Sequence, residues 1–322
     1  MPSKSGTHKE KIKTVSPGNI QDVAKALSSD LRLKIVEILG WKAMTISQLV
    51  KELGVAQPTV SINVQVLEQS GLIITAPGPN REKICSRVYD SIVLELPNRP
   101  GDALQDIEEI MMPVGMYTDC KVESPCGLAG KDGVIGAPDD PRSFYLPERC
   151  DASLLWFSGS GYVEYRFPNP FDAETVQEVE AVCISAEICS EAAGYRHDWP
   201  SDITLFVNGR NIGTWTSPGD FGEPKGRLTP AWWMNNTQYG LMTEWRVGAD
   251  ASLVNGVVVS GTRLEDLQLE SSQPITVRFE VSPDAEHQGG INLLGAHFGN
   301  YPQDIKLTFV KKNKRRQQDA AE

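Results

Sequence analysis

The sequence predicts a multidomain α+β chain in which a small head of helices closed by a β-hairpin is joined to a larger antiparallel β-sandwich. Three observations carry this expectation. The stretch TISQLVKELGVAQPTVSINVQVLEQSGL, residues 45–72, places apolar side chains at helical spacing in two blocks broken at Gly54. From residue 152 onward, eight β-branched or aromatic runs follow one another, separated by Gly, Pro, Asn or Asp, with no helical pattern between them. The length of 322 residues is enough for two separate cores.

Charge divides along the same line. Residues 1–100 carry a formal +4, residues 101–310 carry −18 and residues 311–322 carry +3, within a total of −11. A mildly basic head on an acidic body fits a nucleic-acid-binding module joined to a domain that avoids nucleic acid. The acidity of the body by itself means only a solvated surface. No apolar run approaches the roughly 20 residues that cross a bilayer, and the start MPSKSGTHKEKIKTVSPG lacks the apolar block of a signal peptide. A cytoplasmic protein without a membrane partner is expected.

Residues 1–18 are lysine-bearing, poor in apolar side chains and broken by Pro17, and read as a flexible basic arm. The head proper is placed at 19–96. Its first part reads as two helices, the second directing Leu31, Ile35, Ile38 and Leu39 inward with Asp30 at its positive end, and Trp41 is expected to complete this core. In the next helix Ile46, Leu49, Val50 and Leu53 share a face and Gly54 ends it. Gln57 and Pro58 open the following helix, which buries Val60, Val64 and Leu67 and is closed by Gly71. LIIT, the turn APGPNREK and ICSRVYDSIVLEL then read as a hairpin with a basic tip. Two helices across a short turn followed by such a hairpin form a winged helix-turn-helix, whereas the helices alone would be an ordinary helical hairpin. On the winged reading Gln57, Thr59, Ser61, Ile62 and Gln65 face a major groove, and Arg81, Lys83 and Arg87 contact phosphates of double-stranded DNA.

DVAKALSSDLRLKIVEIL at 22–39 and PTVSINVQVLEQSGLI further on resemble the ArsR-type winged-helix transcriptional repressors, a likeness covering about residues 20–112. The resemblance implies a homodimer on a DNA operator, released or retained by an effector. It also implies that residues 97–113, with Leu104, Ile107, Ile110 and Met111 in DALQDIEEIMM, form a dimerisation helix; the same stripe would alternatively dock on its own head. Ile62, Asn63 and Gln65 stand where the family commonly carries basic or histidine residues, so base preference does not carry over. Many relatives sense metals. Here TISQLVKEL has no Cys and DALQDIEEIMM has no His, so no metal site and no cofactor are expected, and zinc or arsenite should leave operator binding unchanged.

Residues 114–151 are dense in Gly, Pro and Asp and read as a connecting segment. Gly127, Gly130, Gly133 and Gly136 follow no strand that opens into a helix, which argues against a phosphate loop, and Asp139-Asp140 between prolines reads as a turn. Residues 152–310 form the sandwich. Asn208-Gly209 between two strand runs specifies a type I′ hairpin. DITLFVNGRNIGTWTSPGDFG and GGINLLGAHFGNYPQDIKLTF make this half similar to galactose-binding-like jelly rolls, which implies a carbohydrate effector. Residues 311–322 form a basic tail. The six cysteines are read as buried thiols rather than disulfides or zinc ligands.

The loop from Trp215 to Tyr239 combines Trp215, Trp232, Trp233 and Tyr239 with Asp220, Asn235, Asn236 and Gln238. Rings pack on the C–H faces of a sugar while amides and carboxylates hold its hydroxyls, so these eight residues are the expected ligand set; Trp156 and Trp245 are expected in the core. Alternatively the tryptophans merely fill the sandwich. The sequence therefore reads as a non-enzymatic, sugar-responsive repressor. Two alternatives remain: a carbohydrate-active enzyme using Asp220 and Glu223, or a sandwich that serves as a ligand-free interaction platform.

Overall fold

The computed structural model describes residues 11–78, 82–96, 107–172, 174–269 and 273–312. The chain forms two compact units, 1–103 and 104–322.

The first unit runs β1 (Ile12–Val15), α1 (Ile20–Leu27), α2 (Asp30–Leu39), β2 (Met44–Thr45), α3 (Ile46–Leu53), α4 (Gln57–Gln69), β3 (Ile73–Pro77), β4 (Lys83–Arg87) and β5 (Ser91–Leu94). Its core is made by one face of each helix: Val23 and Ala26, Ile35 and Leu39, Leu49, then Val60, Val64 and Leu67. Arg32 joins three helices, donating to the orphan carbonyls of Lys25 and Ala26 at the end of α1 and to Asn63 Oδ1 on α4. β3, β4 and β2 form the wing sheet. Two expectations are corrected. The second half of the arm is not loose: β1 pairs in parallel with β5 over Ile12–Val15, where β-branched residues suit an extended chain and Val15 is buried. Residues 1–10 lie outside the described residues. Trp41 is 88% exposed, because the chain turns at Gly40 and Met44 closes the core instead.

The second unit is an antiparallel sandwich. It contains β6 (Ile107–Met112), β7 (Asp119–Lys121), β8 (Cys126–Ala129), β9 (Val134–Ile135), β10 (Leu154–Phe157), β11 (Gly161–Phe167) and β12 (Val179–Cys189). It continues with β13 (Ser201–Val207), β14 (Arg210–Ser217), β15 (Leu241–Val247), β16 (Ser252–Val254), β17 (Val257–Ser260), β18 (Ile275–Val281), β19 (Ile291–Leu294) and β20 (Ile305–Lys311). One sheet has the order β14-β13-β18-β11-β7. The other has the order β17-β16-β15-β12-β19-β10-β8-β9, and β20 pairs with both β12 and β6. From β10 onward the chain passes back and forth between the sheets, which is the winding of a jelly roll.

Alternation sorts the side chains. Leu155 and Phe157 of β10 face the main core while Leu154 and Trp156 face outward, and β19 likewise sends Ile291 and Leu293 in and Asn292 and Leu294 out. Trp245 is fully buried, edge-on to Trp215 and Phe279 at 6.5 and 5.9 Å. Asn208 and Gly209 both have positive φ, 48° and 75°, and join β13 to β14.

Two further expectations change here. Residues 107–112 are strand β6 paired with β20 from Ile305 to Val310, rather than part of a dimerisation helix; residues 97–106 of that segment lie outside the described residues. IEEIMM has helical spacing and no clean alternation, each strand face carrying one Glu and two apolar side chains; the strand wins because Ile110 and Met112 reach the sandwich core while Glu109 and Glu108 pair with Lys306 and Lys311. The segment 114–151 is not a connector. Val114, Tyr117 and Phe144 are buried in the main core, Tyr165 donates its hydroxyl to Val114 O at 2.7 Å, and the Arg149 guanidinium lies over Tyr117 at 4.4 Å. The sandwich therefore begins at β6.

Candidate functional site

In the head, α3 begins with a reciprocal cap: Thr45 Oγ1 accepts from Gln48 N and Gln48 Oε1 accepts from Thr45 N. Gly54 takes φ 67°, which only glycine adopts at little cost, and lets α4 start after a three-residue turn. At the far end of α4, Leu72 N donates to Leu67 O and Gly71 N to Glu68 O, with Gly71 at φ 68°. α4 is thus fixed at both ends. With Val60, Val64 and Leu67 inward, Gln57, Thr59, Ile62 and Gln65 are exposed and Ser61 is half-buried on the outer side. Among the described residues, no hydrogen bond occupies the side chains of Gln57, Thr59, Ser61 or Gln65. Asn63 is committed inside the head, accepting from Arg32 and donating to Thr59 O. The outer face therefore offers two free amides, two hydroxyls and the methyls of an Ile that is 62% exposed. Amides suit adenine edges and methyls suit thymine.

The basic set divides. Lys83 is exposed on the wing, Arg87 is half-buried and ion-paired to Asp90 at 3.0 Å, and Arg81 lies outside the described residues.

Residues 29–75 match the model of the family described as bacterial regulatory protein, arsR family. The head is an ArsR-type winged helix-turn-helix. The chain thus carries the helix-turn-helix of a DNA-binding transcriptional regulator, and residues 29–75 span α2 to the wing. Among solved structures, HlyU from Vibrio cholerae is 19% identical, covering 23% of this chain and 78% of its own, with TM-score 0.21. The transcriptional repressor BigR from Xylella fastidiosa is 25% identical, covering 22% of this chain and 71% of its own, with TM-score 0.21. The CBM36-1 domain of a multidomain xylanase from the hindgut metagenome of Trinervitermes trinervoides is 10% identical, covering 62% of this chain and 96% of its own, with TM-score 0.28. No curated protein matches the chain.

In the sandwich, the eight residues expected to bind a ligand are dispersed. Trp215 is half-buried on β14 against Trp245. Asp220 is fully buried, holding Ala192 N at 3.0 Å with Oδ2, and its backbone N–H donates to Arg196 O; it ties two loops together and does not face solvent. Burial pushes its carboxyl up to about 7. Gln238 is buried and donates to Trp233 O and Asn236 O. Tyr239 stacks on Phe221 at 5.2 Å. Asn235 occupies a turn at φ 61°, and Trp232 is 37% exposed with its indole N–H on Lys131 O. Asp220 and Gln238 thus leave the expected ligand set because they hold the loop together, and Trp215 leaves it because it packs from β14 against the main core. Glu223 is exposed on the surface, so Asp220 and Glu223 make no acid–base pair facing a common cleft.

Trp233 and Asn236 remain, and they meet residues the sequence did not single out. A cleft of about 380 Å³ opens on the outer face of the larger sheet, lined by Trp156, Trp233, Glu191, Asn292, Asn236 and Asp139, among others. Its floor is one row across three strands: Gly127 opposite Trp156, and Trp156 opposite Asn292. Any Cβ at 127 would lie 2.2 Å from the Trp156 ring, so glycine makes the seat for that indole. Trp233 packs on Trp156 at 5.4 Å and 59°, with its own N–H on Thr237 O. Asn292, 1% exposed, gives its amide hydrogens to Ser190 O and Glu191 Oε2, both at 2.7 Å. Among the described residues neither Asn292 Oδ1 nor Glu191 Oε1 receives a hydrogen bond from the protein, and neither atom is sealed from solvent. Burial, then the neighbouring Asp220 charge, raise the Glu191 carboxyl well above the usual carboxylate range.

Among the described residues no two of the six cysteines form a disulfide, and all but Cys150 are buried. Among the described residues no group of three or more His, Cys, Asp or Glu is placed to hold a metal ion, and no helix is long and apolar enough to cross a membrane.

Proposed function

We propose that this regulator is a cytoplasmic, homodimeric repressor whose sandwich binds a carbohydrate effector in the cleft between Trp156 and Trp233. One observation carries the sugar reading: two indoles converge on a cleft where Glu191 and Asn292, both more than nine-tenths buried, each keep an oxygen free of donors. Ring hydroxyls would supply those donors, and the indoles would cover the C–H faces. Both oxygens reach water in the open cleft, so an occupant's hydroxyls would take the place of that water. On the DNA side, Gln57, Thr59, Ile62 and Gln65, with Ser61 at their edge, would read bases and Lys83 with Arg81 would contact phosphates.

Coupling demands little energy. A tenfold to hundredfold change in operator affinity requires about 1.4–2.8 kcal/mol of differential binding. The test begins by selecting an operator from random duplexes with the full-length protein, then titrating it with and without a panel of mono- and oligosaccharides. A sugar that changes both the melting temperature and operator affinity, and fails to do so with Trp156→Ala and Asn292→Ala, supports the reading. If no sugar alters either quantity, the effector assignment is wrong while the DNA reading stands.

A further inference from the structure

We infer that the cleft selects a sugar bearing a protonated amine, an amino sugar in preference to a neutral or acidic one; this rests on the carbohydrate reading of the same cleft. The residues lining it include two carboxylates, Glu191 and Asp139, and no Lys, Arg or His. Glu191 is held rigidly. Its backbone N–H donates to Gly289 O at 2.7 Å, its carbonyl accepts the Trp199 indole N–H at 2.9 Å, and Oε2 accepts from Asn292. That leaves Oε1 at the cleft with no donor among the described residues.

Buried carboxylates are ordinarily matched by a cation or by several donors. Here a single neutral amide is the match, and Asp139 and Asp220 add negative charge that makes the vacancy worse. An ammonium group supplies three donors and the missing charge at once. A hydroxyl would fill the geometry without the charge, and a uronic acid would set a third negative charge against Glu191 and Asp139. Burial and the Asp220 charge raise the Glu191 carboxyl, and an ammonium set against it would favour the ionised form. The groups facing it are Asp139, Asp220 and Asn292.

The experiment is isothermal titration of the full-length protein at neutral pH with the β-1,4-linked disaccharides of glucosamine, N-acetylglucosamine and glucose, with glucuronic acid and with calcium chloride. The glucosamine disaccharide should bind at least about tenfold more tightly than its N-acetylated or glucose counterparts, the scale of a charge-assisted hydrogen bond. Glu191→Gln should abolish the preference. Asp139→Asn, on an exposed loop residue, should reduce the preference even if the Glu191 variant does not fold. Equal or tighter binding of the neutral disaccharides overturns the amine inference and leaves the carbohydrate reading intact. Binding of calcium in place of the glucosamine disaccharide, or of glucuronic acid above it, also overturns the inference. Absence of binding by every sugar overturns both.

Discussion

The outer face of α4 and the loop from Trp215 to Tyr239 were both expected to bind ligands, and the structure treats them in opposite ways. On α4 the polar side chains stand clear because the helix's hydrogen bonds are satisfied internally and its apolar stripe alone docks on the core. In the loop, no repeating backbone pattern supplies partners, so Asp220, Gln238 and the Trp233 indole N–H are spent on backbone groups nearby. Regular structure frees polar side chains for recognition, while an irregular loop consumes them. The composition of a loop therefore says less about binding than the same composition on a helix face.

The largest test of this contrast uses tryptophan. Trp245→Ala should destabilise the sandwich by about 3–5 kcal/mol in thermal unfolding, whereas Trp41→Ala, at a side chain 88% exposed, should stay within about 0.5 kcal/mol. Comparable losses at the two positions would break the comparison.

Asp220 sharpens it through pH. Its carboxyl is raised from 3.8 to about 7 by burial, so the folded state holds a proton that the unfolded chain has lost. Stability from this group is fully present below pH 4 and is lost as pH rises toward and through 7. Asp220→Asn keeps an acceptor for Ala192 N and removes the ionisation, so at pH 8 it should stabilise the protein by at most about 4 kcal/mol, with the gain vanishing near pH 4. Destabilisation at pH 8 equal to that at pH 4 would mean that contacts of the Asp220 side chain, such as that with Thr237, outweigh its ionisation.

On α4, Gln65→Ala should change base preference at one operator position by about 1–3 kcal/mol, and Lys83→Ala should weaken all duplexes alike and lower the salt slope by about one. Uniform loss in both variants would remove the distinction between reading and anchoring. The smallest effect is expected at the strand pair β6–β20, where Lys306→Ala breaks a partly exposed contact of 2.9 Å with Glu109 and should cost about 0.2–1 kcal/mol in denaturant unfolding.

The head was largely legible because its signals are local. Thr45 with Gln48, Gly54, Gly71 and the Val60–Val64–Leu67 spacing each act within a few residues, and so does Asn208-Gly209 in the sandwich. Segment 107–112 was misread because IEEIMM has helical spacing and no alternation to mark a strand, and its pairing partners Lys306 and Lys311 lie about 200 residues later. Residues 114–151 hid their role because Val114, Tyr117 and Phe144 enter the core singly, held by hydrogen bonds to distant strands instead of a repeating pattern. The cleft was invisible for the same reason. Trp156, Glu191, Trp233 and Asn292 come from four places in the chain, and the one local hint was a polar Asn inside the apolar run INLL.

The antiparallel union of β6 with β20 places Ile107 opposite Val310, so the first and last strands of the second unit finish side by side. Force applied between those two points loads the hydrogen bonds between the strands one after another, like the teeth of a zip, rather than all together in shear. Tension arriving along the chain at Ile107 would then peel β6 away at low load while β12, flanked on both sides along its length, kept its partners. The same adjacency means that a short peptide bridging Lys312 to Ile107 would close the unit into a ring, from which a new pair of termini could be cut at the Asn208-Gly209 turn.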